Sequence, residues 1–284
     1  MAPDNPTFKT QFLTNSLRSS RGSRRSIVVT YAAGLLVCAI MIFLILPTFL
    51  VIPMSLNESS YLAFPPQGLT WKWYAAYFSD PDWMAATAFS LQIALATSLV
   101  ATVTGTMAAI ALAKSKLPFK GLLQGLALGP MIVPHVVLGV ALYVVFSPWR
   151  MTGTLGGFVI AHTALAIPYV MIVVGAAVQK FDSSLELAAL NCGANRVQAF
   201  FLVMLPSIGP SVASASVFAF LASFDDATVS FFISDIGGKS IGRKMFEDID
   251  FNLTPVIAAA STVLVAISLA LMTGAQLLTS QRKR

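Results

Sequence analysis

Two adjacent carboxylates, Asp225 and Asp226, close an apolar stretch, residues 197–224, that contains no Asp, Glu, Lys or Arg. Acids at the mouth of an apolar helix are costly to bury, and by default they mark the path of an ion or a charged solute. Phe224, Phe231 and Phe232 stand close by in the chain and would add cation–π attraction for an amine. The other reading is a solvated loop start at a membrane interface. His135 follows Gly129-Pro130 and Pro134 inside another apolar stretch. Prolines there free backbone carbonyls and bend a helix, so His135 either faces a pathway or bonds a freed carbonyl. His162 stands alone near the start of a further stretch and reads as structural. Neither histidine has a Cys or an acid at ligand spacing, so no metal site is expected. Cys38 and Cys192 offer neither a disulfide framework nor zinc spacing. Gly237-Gly238-Lys239-Ser240 spells the end of a phosphate loop, but the first glycine of that motif would fall on Ile233. No catalytic signature remains, so the chain is expected to be no enzyme and to carry no cofactor.

The elements that must hold these residues are membrane helices. Of 284 residues, 56% are hydrophobic and 11% charged, where a soluble domain carries roughly 25% charged residues. Six stretches lack charge and each exceeds the ~20 residues a helix needs to cross a bilayer. The spacing predicts spans at about 27–54, 85–113, 122–147, 155–179, 201–224 and 253–278, within a transmembrane domain at 26–281. Residues 1–25 are basic and Ser-rich and read as a disordered tail. The first apolar run is too long for a signal-peptide core and reads as an uncleaved anchor. With the N-terminus inside, 13 Lys and Arg fall on inner segments and 5 on outer ones. That asymmetry predicts both termini in the cytoplasm and the loop 180–200 on the inner side. The net charge of +6 is spread along one side of the membrane, which is no footprint of nucleic acid. The second span, rich in Ala, Ser, Thr and Gly, should sit inside the bundle, since small residues let membrane helices approach. Trp71, Trp73, Tyr74 and Tyr77 predict an outer helix at the headgroup level.

The inner loop is itself patterned. Asp182, Ser183 and Ser184 are good N-cap types, Glu186 suits the first turn, and Gly193 is a natural helix end. The small pair Ala188-Ala189 would let another protein's backbone come close. With Gly193, Val203 and Leu205-Pro206 at their spacings, this stretch resembles the EAA loop of the permease subunits of bacterial ABC importers. Two positions depart from the family pattern. Leu187 stands at its Glu, with Glu186 one place earlier, and Val203 stands at its Ile. The resemblance implies an all-α, type I ABC importer permease in the bacterial inner membrane, with six spans. It implies that Glu186, Leu187, Ala188, Ala189, Gly193, Leu205 and Pro206 form the coupling segment for a cytoplasmic ATP-binding subunit present in two copies. It also implies a second permease subunit, because six spans make half a pathway, and a periplasmic solute-binding protein. Phe224-Asp225-Asp226 with Ser230-Phe231 is similar to the spermidine/putrescine branch, which implies a polyamine as solute. Asp225, Asp226 and His135 are then the expected pathway residues. The alternative is a secondary transporter or channel working without ATP, which midplane acids or inverted repeats would favour.

Overall fold

A backbone in lipid can bond only to itself, and this chain answers with helices. The computed structural model describes residues 6–115, 118–251 and 254–281. Lys116 and Arg282-Lys283-Arg284, which entered the charge asymmetry, lie outside the described residues, as does the start of the tail. The chain divides into two units, Met1–Pro53 and Met54–Arg284.

The first unit is carried by helix α1, Pro6–Ser55, whose portion Val29–Ser55 is long and apolar enough to cross a membrane. Helix runs back to Pro6, where the sequence reading expected a disordered tail. Once a span is nucleated, each further residue adds a hydrogen bond without the nucleation cost, and Ser and Arg do not forbid it.

In the second unit, the loop after α1 is organised by Asn57, which is fully buried. Its side-chain oxygen accepts from the Gln67 backbone N–H at 2.9 Å, and its carbonyl accepts from the Trp73 indole at 2.7 Å. Helix α2, Lys72–Ser79, stands where the aromatic cluster predicts one. Asp80 then caps helix α3, Pro81–Lys114, by accepting from the N–H groups of Asp82 and Trp83, with proline at the first position where no donor is needed.

Helix α3 packs along helix α6, Leu155–Lys180, through small residues, Ala101 and Ala109 against Ala166 and Val170. At Gly105 a Cβ would come within 2.8 Å of the Val170 Cβ, so only glycine lets the two backbones approach this far. The pairs Phe89–Phe158 at one end, Gly105–Val170 in the middle and Lys114–Phe181 at the other show that α3 and α6 run parallel. The chain between them must therefore cross back. It does so in two pieces, Lys120–Met131 and His135–Trp149, bent by 99° at their junction. The first piece begins with helix α4, Lys120–Leu128, whose Ala127 joins the core at the Lys114 end. The second begins with helix α5, His135–Phe146, whose Phe146 joins the core around Ile93 and Phe158 at the opposite end. The broken element thus spans the bundle. The expected third span is present as a bent pair rather than one kinked helix. Pro130 and Pro134 each remove a backbone donor; Gly129 before Pro130 keeps an α conformation within the turn Gly129–Met131, and the next helix starts only after Pro134.

At the Lys114 end lie helix α7, Ser183–Asn191, and the short helix α8, Arg196–Ala199. A π-helical turn, Phe200–Met204, leads from α8 into helix α9, Leu205–Phe224. Pro206 cannot donate backward and its ring would crowd the preceding turn, and the wider π turn absorbs that conflict. The crossing helix therefore begins at Arg196, earlier than the expected 201, and runs to Phe224. Helix α9 is antiparallel to α3, with the Ser98 hydroxyl donating to the Ser216 carbonyl at 2.7 Å and Ala94 packed beside Phe220 and Phe224. Two helices, α10 (Thr228–Ile233) and α11 (Ile241–Phe251), occupy what the charge pattern presents as an outer loop. Helix α12, Val256–Gln281, starts against Tyr77, Trp83 and Ile241, so it runs with α3. Among the described residues, five helices are long and apolar enough to span a membrane, and the bent pair makes six.

Candidate functional site

The segment expected to couple to an ATP-binding subunit is a small, closely specified piece of backbone. Asp182 caps α7 by accepting from the Ser184 N–H at 2.9 Å, and that bond holds its carboxyl below the ordinary range. Gly193, at φ +92°, ends the helix. Its N–H bonds the Leu190 carbonyl and the Ala194 N–H bonds the Ala189 carbonyl, which satisfies the last orphan acceptors of α7. Asn195 and Gln198 then bond each other's backbone N–H as a capping box for α8. No residue of α7 is buried. Leu187 is 61% exposed and Ala188 is exposed, so the apolar face carries no covering from the described residues of its own chain. Glu186 is engaged differently: it pairs with Lys114, at the end of α3. Leu205 and Pro206 sit at the start of α9, half-buried and exposed.

The acids and histidines meet at the opposite half of the bundle. Asp225 caps the end of α9, its N–H bonded to the Leu221 carbonyl at 2.9 Å. It is open to solvent, yet the walls around its carboxyl displace enough water that burial pushes its pKa above the ordinary range. The Asp226 side chain is only 4% exposed. One carboxylate oxygen accepts from the Ser230 N–H at 3.0 Å. The other faces His135 Nδ1 at 3.6 Å, and His162 Nε2 lies 3.9 Å from the first. His135 is placed by the break, as the first residue after Pro134, and its side chain is half exposed. His162 is buried in α6, its Nδ1 2.9 Å from the Ser223 hydroxyl and its Nε2 3.2 Å from the Ser230 hydroxyl. A cavity of about 400 Å³ opens here, lined by His135, Tyr169, Phe218, Asp225 and Asp226 among others. The three expected pathway residues are thus brought together. His162 is structural, as its isolation suggests, but its contacts also hold the region around Asp226. Tyr169 escaped the sequence reading. Its signal was available, for it follows His162 by two helical turns on α6 and shares that face. Among the described residues, no group of three or more His, Cys, Asp and Glu forms a metal-holding arrangement.

A second cavity, about 740 Å³, lies between the start of α3 and the segment from Ser234 to Glu247. Its wall is cross-linked by Lys239–Glu247 at 2.6 Å and Arg243–Glu247 at 2.9 Å, with Arg243 also 4.2 Å over the Phe231 ring. Burial alone would raise the Glu247 carboxyl, but bonds from Lys239 and Arg243 hold it below the ordinary range. Gly238, in the phosphate-loop look-alike, is a packing glycine, because a Cβ there would lie 2.3 Å from the Gly153 carbonyl oxygen.

Comparison with known proteins agrees with this arrangement. The profile described as "Binding-protein-dependent transport system inner membrane component" matches residues 101–284. The spermidine/putrescine transport system permease protein PotC of Haemophilus influenzae is 28% identical over 237 residues, covering 84% of this chain and 92% of PotC. The putrescine transport system permease protein PotI of Escherichia coli is 29% identical over 232 residues, covering 78% of this chain and 82% of PotI. The solved bacterial alginate ABC transporter, in complex with alginate pentasaccharide-bound periplasmic protein, has a chain of the same fold, with TM-score 0.67 at 15% identity over 88% of this chain and 94% of that one. A bundle of apolar helices with an exposed helix–glycine–helix plug at one end, matched by that profile over most of its length, leads to one conclusion: the chain belongs to the family of binding-protein-dependent transport system inner membrane components, the multi-pass permeases of bacterial ABC importers.

Proposed function

We propose that this permease moves a polyamine, putrescine or spermidine, from periplasm to cytoplasm. The observation that carries the solute class is the cavity in which the enclosed Asp226 and the crowded Asp225 face the same space as Tyr169, Phe218 and His135. Carboxylates beside aromatic faces suit an organic cation. The names of PotC and PotI support the same class. In this reading both termini and α7 are cytoplasmic, in keeping with the Lys and Arg asymmetry. The exposed face of α7, around Leu187, Ala188, Ala189 and Gly193, docks a cytoplasmic ATP-binding subunit, two copies of which serve the transporter. Leu205 and Pro206 pass its motion into α9, and Glu186 ties α7 to α3 through Lys114. A second permease subunit completes the pathway, and a periplasmic solute-binding protein delivers the amine. ATP and the loaded binding protein drive the cycle only through their different affinities for the two states of the bundle.

The experiment is uptake of labelled putrescine into proteoliposomes holding the permease pair, its ATPase and the binding protein. Asp225→Asn and Asp226→Asn should each cut uptake by about tenfold or more, since a charge-assisted bond is worth roughly 1.5–3 kcal/mol. Unchanged uptake in both variants would remove the acids from the pathway and the polyamine with them.

A further inference from the structure

We propose that the cavity-facing oxygen of Asp226 seats a primary ammonium group of the transported amine, and that His135 is the exchangeable side chain which this ammonium displaces. The proposal rests on the polyamine reading above and adds the atom that receives the charge and the residue that guards it.

The two oxygens of Asp226 are not equivalent. One is bound at 3.0 Å by the Ser230 N–H and lies 3.9 Å from His162. His162 itself is held by the Ser223 and Ser230 hydroxyls and is 1% exposed, so that side of the carboxylate is rigid. The other oxygen meets His135 at 3.6 Å, longer than a hydrogen bond. A carboxylate has about four acceptor positions, and a side chain 4% exposed is poorly served by a single N–H. Acceptor capacity is therefore left on the oxygen that faces the cavity. His135 is half exposed and sits directly after the 99° break, so its imidazole can swing away without unpacking a core.

Geometry selects the ligand class. A guanidinium prefers two parallel oxygens, and here one oxygen is already bound. A primary ammonium is a compact donor that needs only one. It would find Asp225, the Tyr169 ring and the Phe218 ring along the same cavity.

The test is equilibrium binding of labelled putrescine to the intact permease–ATPase complex in nanodiscs, without binding protein. Asp226→Asn should weaken binding about tenfold or more. His135→Ala should tighten it severalfold, because the competitor is gone, and His135→Asn should fall between Ala and wild type. His135→Lys should abolish it, because a tethered ammonium fills the seat. A merely structural histidine would not give opposite signs for Ala and Lys, and ATPase assembly of each variant reports folding. If Asp226→Asn weakens binding while His135→Ala weakens it too or leaves it unchanged, the exchange is overturned and the polyamine reading stands. If wild type binds no putrescine, or Asp226→Asn binds it as well as wild type, the seat is overturned. The uptake assay then decides the polyamine reading separately.

Discussion

At the scale of single residues, the ionised form of Asp225 carries a stability cost that its proposed place in the pathway would explain. Burial raises its pKa, so the folded protein holds that proton more tightly than the unfolded chain does. The sign follows. Ionising Asp225 costs nothing extra below the unfolded pKa and weakens the fold as pH rises through and above it. Asp225→Asn should therefore raise the unfolding temperature at neutral pH, with the gain shrinking on acidification, while uptake falls. A thermal melt at two pH values reads this, and an equal gain at both would remove the ionisation from the explanation. In the proposed pathway the same residue would give uptake a pH dependence. Protonation discharges a cation site, so acid should depress uptake beginning above the range of an exposed carboxylate.

At the scale of elements, the α3–α6 seam sets how closely the bundle closes. Gly105 allows it, with Val170 filling the space a side chain would need. Gly105→Ala should cost about 1–3 kcal/mol by overpacking, and Val170→Ala in the same chain should recover part of that loss. Unfolding in detergent measures the cycle, and additive losses would show that the two residues do not compete for one space. The plug at the other end is legible from sequence in more detail than any other part. Asp182, Gly193 and Asn195 name their own roles, because caps depend on residues within four positions. The bond from Glu186 to Lys114 was not legible, because it joins residues of different helices.

At the scale of the molecule, the parallel run of α3 and α6 decides the crossing count. Because both point the same way, the bent pair between them must return through the bundle, and the plug shares an end with Lys114. Labelling can check this. With Cys38→Ser, the native Cys192 should react only with reagent on the cytoplasmic side. In a second chain lacking both native cysteines, Ile236→Cys should react only from outside. Both positions are exposed. The opposite pattern, Cys192 reacting only from outside and Ile236→Cys only from the cytoplasmic side, would mean that the broken element is re-entrant.

Length, hydropathy and the absence of charge are properties of the chain read along one dimension, and they determined the membrane class and marked the approximate spans, while local cap residues marked helix α7. They also marked Asp225, Asp226 and His135 one by one. What they left open is which of these meet. The tertiary structure decided that, because the sharp break at Pro134 and the antiparallel fit of α6 and α9 bring residues far apart in the chain to one carboxylate. Sequence spacing specifies the face of a helix, but only packing between helices specifies what that face touches.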